Sequence, residues 1–179
     1  VGEGAGIMIF EPQERVDARG RKPYGYITGY GTSCDGVDRI KANPDGKELA
    51  RAIRMALDDA GYKPQDIDYI SLDGAATQEG DVSEAAAIKD VFGSGAAHLP
   101  VSVPKTMFGN LLGASGAVDI IVTLLAMEHG LIPPTLNLKN IDPRCAGLDY
   151  VVEKARPAEI RKVLVISRGR GGINAVVAL

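Results

Sequence analysis

Apolar runs of strand length alternate with segments of helical periodicity along most of the chain, and this alternation limits the fold more than any other feature. The runs IDYISLDG (Ile67–Gly74) and LPVSV (Leu99–Val103) are each followed by a helical pattern. Strands that alternate with helices predict parallel strands joined by crossover helices. The chain is therefore predicted to form an α/β fold, a mixed, mostly parallel sheet with helices packed on it.

The boundaries of the predicted elements follow from the apolar runs and from the glycines and prolines between them. Strands are expected at residues 5–11, 24–33, 67–74, 99–103, 148–154, 162–168 and 171–179. A short surface helix is expected to end near Gly20, and a longer one to run from about Pro44 to Ala60. A third is expected to begin at Asp81, where an Asp-x-x-Glu capping pattern reaches Glu84. The strands at the end of the chain are expected to be antiparallel.

The longest apolar window, Leu111–Met127, approaches the length of a membrane span. Asp119 near its middle would cost roughly 2.5–3.5 kcal/mol to insert into a bilayer, so we predict a core helix that ends near His129. Ser115, Asp119 and Thr123 form a narrow polar stripe, and glycines form a second face. We expect this helix to be buried nearly all round, which requires a large apolar neighbour that the chain does not obviously supply.

Composition and charge exclude several classes of function. The net charge of −3 gives no electrostatic reason to expect nucleic acid or an anionic membrane as a partner. Cys34 and Cys145 form neither a disulfide framework nor a metal signature, and His98 and His129 are the only histidines. We therefore predict a cytoplasmic protein without a metal or a cofactor. Because the chain opens on VGEGAGIMIFE, already inside a structural element, we expect it to be a piece of a longer protein.

Two glycine-rich stretches raise the alternative of a nucleotide site. They are GEGAG (Gly2–Gly6) and RGRGG (Arg168–Gly172). A dinucleotide fingerprint needs a strand, then G-x-G-x-x-G, then a helix, and neither stretch has this spacing. Each is followed by a short apolar run typical of a strand. We therefore interpret both as tight turns between strands.

The candidate site lies where two predicted parallel strands end. Open α/β sheets place their sites at the carboxyl ends of such strands. If the strands at 67–74 and 99–103 are neighbours, Asp73, Thr77, Lys105 and Asn110 converge there. This set contains neither a nucleophile nor a conventional base. Asp73 before a glycine is also consistent with an ordinary turn, and Lys105 with a surface lysine.

Five motifs in register make the sequence similar to a known family. They are VGEGAG, IDYISLDGAATQEGD, PKTMFGNLLGASGAVDII, GLIPPTLNL and ISRGRGGINAVVAL. Together they resemble the C-terminal half of β-ketoacyl synthases of the thiolase superfamily. The resemblance implies two fused α/β halves in five layers, usually dimeric, with the nucleophilic cysteine in the N-terminal half. On this basis residues 1–34 are expected to be the last strands of the N-terminal half, and residues 35–179 the C-terminal half.

The sequence departs from this family at the positions that carry its chemistry. Active synthases have a histidine at the position of Asp73 and another at that of Asn110, and both stabilise the enolate formed when a malonyl thioester loses CO2. Lys105 and Glu84 match residues of the surrounding polar network, and Thr77 is a further position of the same site. The resemblance therefore implies a degenerate site without an intact catalytic set.

The C-terminal loop departs as well. Active synthases carry a Gly-Phe-Gly-Gly gating loop where this chain has Arg168, Gly169, Arg170, Gly171 and Gly172. This pattern resembles the chain-length factors, the catalytically silent β subunits of type II polyketide synthases. The resemblance implies an active ketosynthase as heterodimer partner, or a self-dimer, and an acyl carrier protein.

Three functions remain open from the sequence alone: a silent chain-length factor that shapes the acyl tunnel, an active acyltransferase or decarboxylating β-ketoacyl synthase with an altered site, or a nucleotide-binding or structural domain. We also expect Asp73 and Lys105 to form a buried ion pair, with their charged atoms within about 6 Å.

Overall fold

The computed structural model describes residues 1–179, which form one six-stranded sheet, a small two-stranded sheet and four α-helices. The six strands lie in the order β1-β8-β7-β2-β3-β5. The strands are β1 (Gly29–Cys34), β2 (Tyr69–Ser71), β3 (Pro100–Ser102), β4 (Leu131–Ile132), β5 (Asp149–Tyr150), β6 (Arg156–Pro157), β7 (Val163–Gly169) and β8 (Ile173–Ala178). Strands β4 and β6 pair separately.

The sheet is parallel at its centre and antiparallel at one edge, which confirms the predicted fold class. Strand β2 pairs in parallel with both neighbours, so that Ile70 lies opposite Val101 on β3 and Leu164 on β7. Strands β3 and β5 are also parallel, whereas β8 runs antiparallel to both β7 and β1. The carboxyl ends of β2, β3 and β7 therefore meet at one edge of the sheet.

Local sequence signals explain where the helices end. The helices are α1 (Gln13–Arg19), α2 (Lys47–Ala60), α3 (Gln78–Phe92) and α4 (Ser115–His129). Gly20, Gly61 and Gly130 end α1, α2 and α4 in the left-handed conformation that glycine adopts without strain. The prediction that α3 begins at Asp81 is wrong. Thr77 is its N-cap, because the Thr77 hydroxyl accepts a hydrogen bond from the Gly80 N–H, and α3 begins at residue 78.

The face of the sheet covered by α2 and α3 carries the main apolar core. The buried side chains of α2 include Leu49, Ile53 and Leu57, and they belong to a cluster of 20 buried residues. Helix α2 approaches β1 closely because Gly29 and Gly31 have no side chain. A Cβ on Gly31 would lie 2.1 Å from the carbonyl oxygen of Ala52. This face is therefore completed within the chain.

Helix α4 packs on the opposite face of the sheet, with its polar side chains inward and its apolar side chains outward. It buries Ser115, Asp119, Thr123 and Ala126, whereas its larger apolar side chains are half-buried or exposed. The prediction of a helix buried nearly all round is therefore wrong: the polar stripe faces the sheet and the apolar side faces outward. The segment Leu112–His129 is the one helical segment long and apolar enough to cross a membrane by length and composition. Its buried polar stripe makes a helix packed on a sheet the better interpretation.

The first part of the chain differs most from expectation. Residues 5–11 form no strand, and residues 3–11 make no backbone–backbone hydrogen bond in the chain. The second predicted strand is shorter than expected, since β1 begins at Gly29. The division of the chain at residue 34 stays a prediction, and β1, which ends there, pairs with β8 along its whole length.

Candidate functional site

Two neighbouring parallel strands bring Asp73 and Lys105 together. Asp73 follows β2 by two residues, and Lys105 lies in a 3₁₀ turn, Pro104–Met107, directly after β3. The Lys105 Nζ atom donates to Asp73 Oδ1 at 2.9 Å, and both side chains are at most 6% exposed. The expected buried ion pair is therefore confirmed, and the alternative of a surface lysine is wrong.

A second carboxylate, which the sequence did not place in the site, completes the cluster. Asp119 reaches across from α4, and its Oδ2 atom lies 3.3 Å from Lys105 Nζ. Its side chain is fully buried and has no hydrogen-bond partner of good geometry. Burial alone would lower the pKa of Lys105, but the carboxylates of Asp73 and Asp119 outweigh it and raise that pKa. Burial raises the pKa of Asp119, although Lys105 opposes this. Lys105 is therefore a charged group held between two carboxylates.

Glu84 supports the backbone of this site from α3. Its two carboxyl oxygens accept hydrogen bonds from the backbone N–H groups of Asp73 (2.8 Å) and Gly74 (2.9 Å). Burial and, next, the charge of Asp73 raise the pKa of Glu84 to about 7. Glu84 is thus a structural acceptor that fixes the loop on which Asp73 lies.

Two predicted site residues lie outside the ion cluster. Thr77 is exposed, and its hydroxyl caps α3. The side-chain oxygen of Asn110 accepts hydrogen bonds from the Leu112 N–H at 2.9 Å and the Ser115 hydroxyl at 3.1 Å. No hydrogen bond joins Asn110 to Asp73 or Lys105. The expected convergence is therefore correct for Asp73 and Lys105 and wrong for Thr77 and Asn110 as side-chain contacts.

Arg168, at the end of β7, joins the cluster through its backbone. Its N–H donates to Asp73 Oδ1 at 3.1 Å, the oxygen that also accepts from Lys105. Its guanidinium turns away toward Asn174 on β8, at 2.8 Å, and Asp35 after β1, at 3.6 Å. Neither Asp35 nor Asn174 was expected in the site, because no local pattern marks them.

The buried charged side chains at this edge of the sheet are paired. Asp73, Lys105 and Asp119 face oppositely charged groups, Glu84 faces backbone donors, and the cluster contains no cysteine. Cys34 is exposed and Cys145 is buried, and neither takes part in the ion cluster. No group of three or more histidine, cysteine, aspartate or glutamate side chains has a geometry that could hold a metal ion.

Comparison with known proteins agrees with the fold. Residues 24–139 match the family described as "Beta-ketoacyl synthase, C-terminal domain". The chain is 42% identical over 178 residues to "3-oxoacyl-[acyl-carrier-protein] synthase 2" of Synechocystis sp., and the alignment covers 99% of this chain and 42% of that protein. The chain therefore spans about two fifths of the length of the curated relatives it matches.

Solved structures give the same result. "The ishigamide ketosynthase/chain length factor" superposes with a TM-score of 0.92 at 42% identity, covering 99% of this chain and 43% of that one. A second is a "type II PKS acyl-carrier protein in complex with its ketosynthase bound to the hexaketide", with a TM-score of 0.90 at 33% identity, covering 94% of this chain and 41% of that one. The fold is thus the thiolase-like fold of ketosynthases. This chain belongs to the β-ketoacyl synthase family, and its residues 24–139 match the C-terminal domain of that family.

Proposed function

We propose that this chain is the C-terminal part of a catalytically silent, chain-length-factor-like subunit, which pairs with an active ketosynthase and helps to shape the acyl-chain tunnel. The observation that carries the proposal is the Asp73–Lys105 ion pair, closed at 2.9 Å at a position where active family members have a histidine. A family member of fatty acid or polyketide biosynthesis with this site has the scaffold of a condensing enzyme without its reacting groups.

The charge at Asp73 opposes ketosynthase chemistry. Decarboxylation of a malonyl thioester develops negative charge on an enolate oxygen, and loss of one oxyanion donor typically costs about 10²–10³ in rate. Asp73 should lower the rate more than the loss of a donor alone, because its carboxylate repels the developing negative charge. Lys105 cannot offset this repulsion, since its charge is already shared between Asp73 and Asp119.

The amide at Asn110 is the second supporting feature. An asparagine side chain donates through its NH2 but exchanges no proton near neutral pH. Here its oxygen is also occupied by Leu112 and Ser115 at the start of α4. Asn110 therefore stabilises a turn where an active enzyme needs an acid or a base.

The partners follow from the proteins that this chain resembles. One similar structure, at 29% identity and a TM-score of 0.78, is a ketosynthase "in Complex with its Chain Length Factor", and another is a carrier protein in complex with its ketosynthase. By analogy, we propose a heterodimer with an active ketosynthase, served by an acyl carrier protein. The outward apolar side of α4 supports a chain that functions with more protein around it.

Malonyl-carrier decarboxylation by the full-length protein tests the proposal. The full-length subunit alone should release no CO2 above background. Addition of an active ketosynthase partner should give turnover, and this turnover should persist when Asp73 of the subunit is replaced by Asn. A matched gain-of-function variant, Asp73→His with Asn110→His, restores the two family histidines. Robust decarboxylation by the unmodified subunit alone would instead support an active synthase with altered chemistry.

A further inference from the structure

All three nitrogens of the Arg168 guanidinium donate hydrogen bonds, although the residue lies next to an exposed turn. The side chains of Arg168 and Asp35 are only 6% and 3% exposed. Its Nε atom donates to Asn174 Oδ1 at 2.8 Å, one terminal nitrogen donates to the Gly80 carbonyl at 3.1 Å, and the other donates to the Ser83 hydroxyl at 3.3 Å. One side chain therefore joins β7, β8, α3 and the segment after β1.

The partners of Arg168 extend these contacts into the two loops beside it. Asn174 Nδ2 donates to Asp35 Oδ1 at 2.8 Å and to the Gly172 carbonyl at 3.1 Å. The Asp35 N–H donates to the same Gly172 carbonyl at 2.8 Å, and Asp35 Oδ2 accepts from the Asn43 N–H at 2.8 Å. The β7–β8 turn and the loop after β1 are thereby hydrogen-bonded to each other.

The turn needs such contacts because its own backbone gives it little rigidity. Gly171 and Gly172 both have φ near +77°, and glycine has the greatest backbone freedom of any residue. A Cβ on Gly172 would lie 2.5 Å from the Cβ of Asp35, so the two loops are in close contact only because position 172 has no side chain. Arg170, at the tip, is exposed and makes no side-chain hydrogen bond or ion pair.

We propose that Arg168 is a lock, which holds the turn at residues 169–172 and the loop at residues 35–45 together as one rigid wall beside the ion cluster. The Arg168 N–H, bonded to Asp73, connects this wall to the degenerate site. Arginine suits the role, because its planar guanidinium presents five N–H donors in a fixed geometry that here reaches acceptors on three elements. The lock does not depend on whether the subunit is catalytically silent.

Amide hydrogen exchange in the full-length protein tests the lock. Three reporter amides, those of Asp35, Asn43 and Arg168, donate to atoms of this network. In the Arg168→Met variant, we expect them to exchange at least about tenfold faster, while amides in the middle of α2 keep their rates. Arg170→Met, in the same turn but outside the network, should leave all of these rates unchanged.

Ser83→Ala provides a milder variant in case Arg168→Met does not fold. It removes one acceptor from the guanidinium and should accelerate the same three amides by a smaller factor. Reporter amides that already exchange at the rate of an open loop in the unmodified protein would overturn the proposal. So would an acceleration that spreads equally through α2, because that result describes a loss of global stability instead of a released lock.

Discussion

Helices α2 and α4 cover opposite faces of the same sheet and do so with opposite chemistry. Helix α2 turns Leu49, Ile53 and Leu57 inward and leaves charged side chains outside. Helix α4 turns Asp119 and Thr123 inward and leaves Leu125 40% exposed. The two helices have nearly the same length, so the difference lies in what each face of the sheet requires.

The difference shows how the two faces are stabilised. Under α2, 20 buried residues form a continuous apolar core, whereas the apolar cluster on the α4 side has six. Under α4, Asp73, Lys105 and Asp119 form buried ion pairs. A buried ion cluster adds less stability than apolar packing of the same volume, but removal of one member leaves uncompensated charge. The two faces should therefore respond differently to substitution and to pH.

The largest effect should come from Lys105→Met on the α4 side. This substitution leaves Asp73 and Asp119 buried near each other without a cation, and breaking a buried pair in this way costs about 3–5 kcal/mol. Denaturant unfolding of the variant and the unmodified protein measures the loss. Asp73→Asn is the control, because Lys105 then keeps Asp119, and its cost should be clearly smaller. Equal losses for the two variants would show that Lys105 is not the centre of the cluster.

On the α2 side, Ile53→Ala should cost about 2–5 kcal/mol, the range for a large-to-small substitution in a packed core. Ile53 is fully buried. Its contribution is apolar, so the loss should be the same at low and at high salt concentration and at pH 6 and pH 8. Denaturant midpoints under these four conditions check it. A loss that varied with salt would contradict the division between an apolar and an ionic face.

The third effect is a pH dependence that originates at Glu84. Its pKa is raised from an ordinary 4.5 to about 7 in the folded protein, so the folded state binds a proton more tightly than the unfolded chain. The stabilisation is complete below pH 4.5 and is lost as the pH rises through 7. Stability should therefore fall between pH 5 and pH 8 by up to about 3 kcal/mol.

Glu84→Gln isolates this contribution. The variant cannot titrate, and it should show a flatter stability profile between pH 5 and pH 8, measured by denaturant unfolding at each pH. A profile as steep as that of the unmodified protein would assign the pH dependence to another group.

The α2 side of the molecule could be predicted from sequence more completely than the α4 side. Periodicity and Gly61 located α2 almost to its ends, because its apolar stripe matches the face that it buries. The same reasoning misjudged α4, since a helix with apolar residues around a narrow polar stripe does not reveal which side faces the sheet. The segment at residues 5–11 has the composition of a strand, but a strand also needs a neighbour, and no other segment of the chain pairs with it.

The site was predictable in part for the same reason. Strand adjacency alone located Asp73 beside Lys105, because parallel neighbours end at the same edge of the sheet. Asp119 depends on the rotation of α4, and Arg168 depends on contacts with residues more than 80 positions away in the sequence. Local patterns carry no information on either, so the place of Asp119 in the ion cluster and the Arg168 network required the structure.

The smallest effect on stability, and the most direct test of the outward face of α4, should come from Leu125→Lys. Leu125 on α4 and Met55 on α2 are both 40% exposed, so they form a matched pair of surface positions. Neither substitution to lysine should change the free energy of unfolding by more than about 0.5 kcal/mol. The 179-residue polypeptide should nevertheless self-associate through the apolar side of α4, and Leu125→Lys should lower its weight-average mass in analytical ultracentrifugation, whereas Met55→Lys should not. A polypeptide that stays monomeric at every concentration would contradict this, because an outward apolar face of this kind would then need no partner.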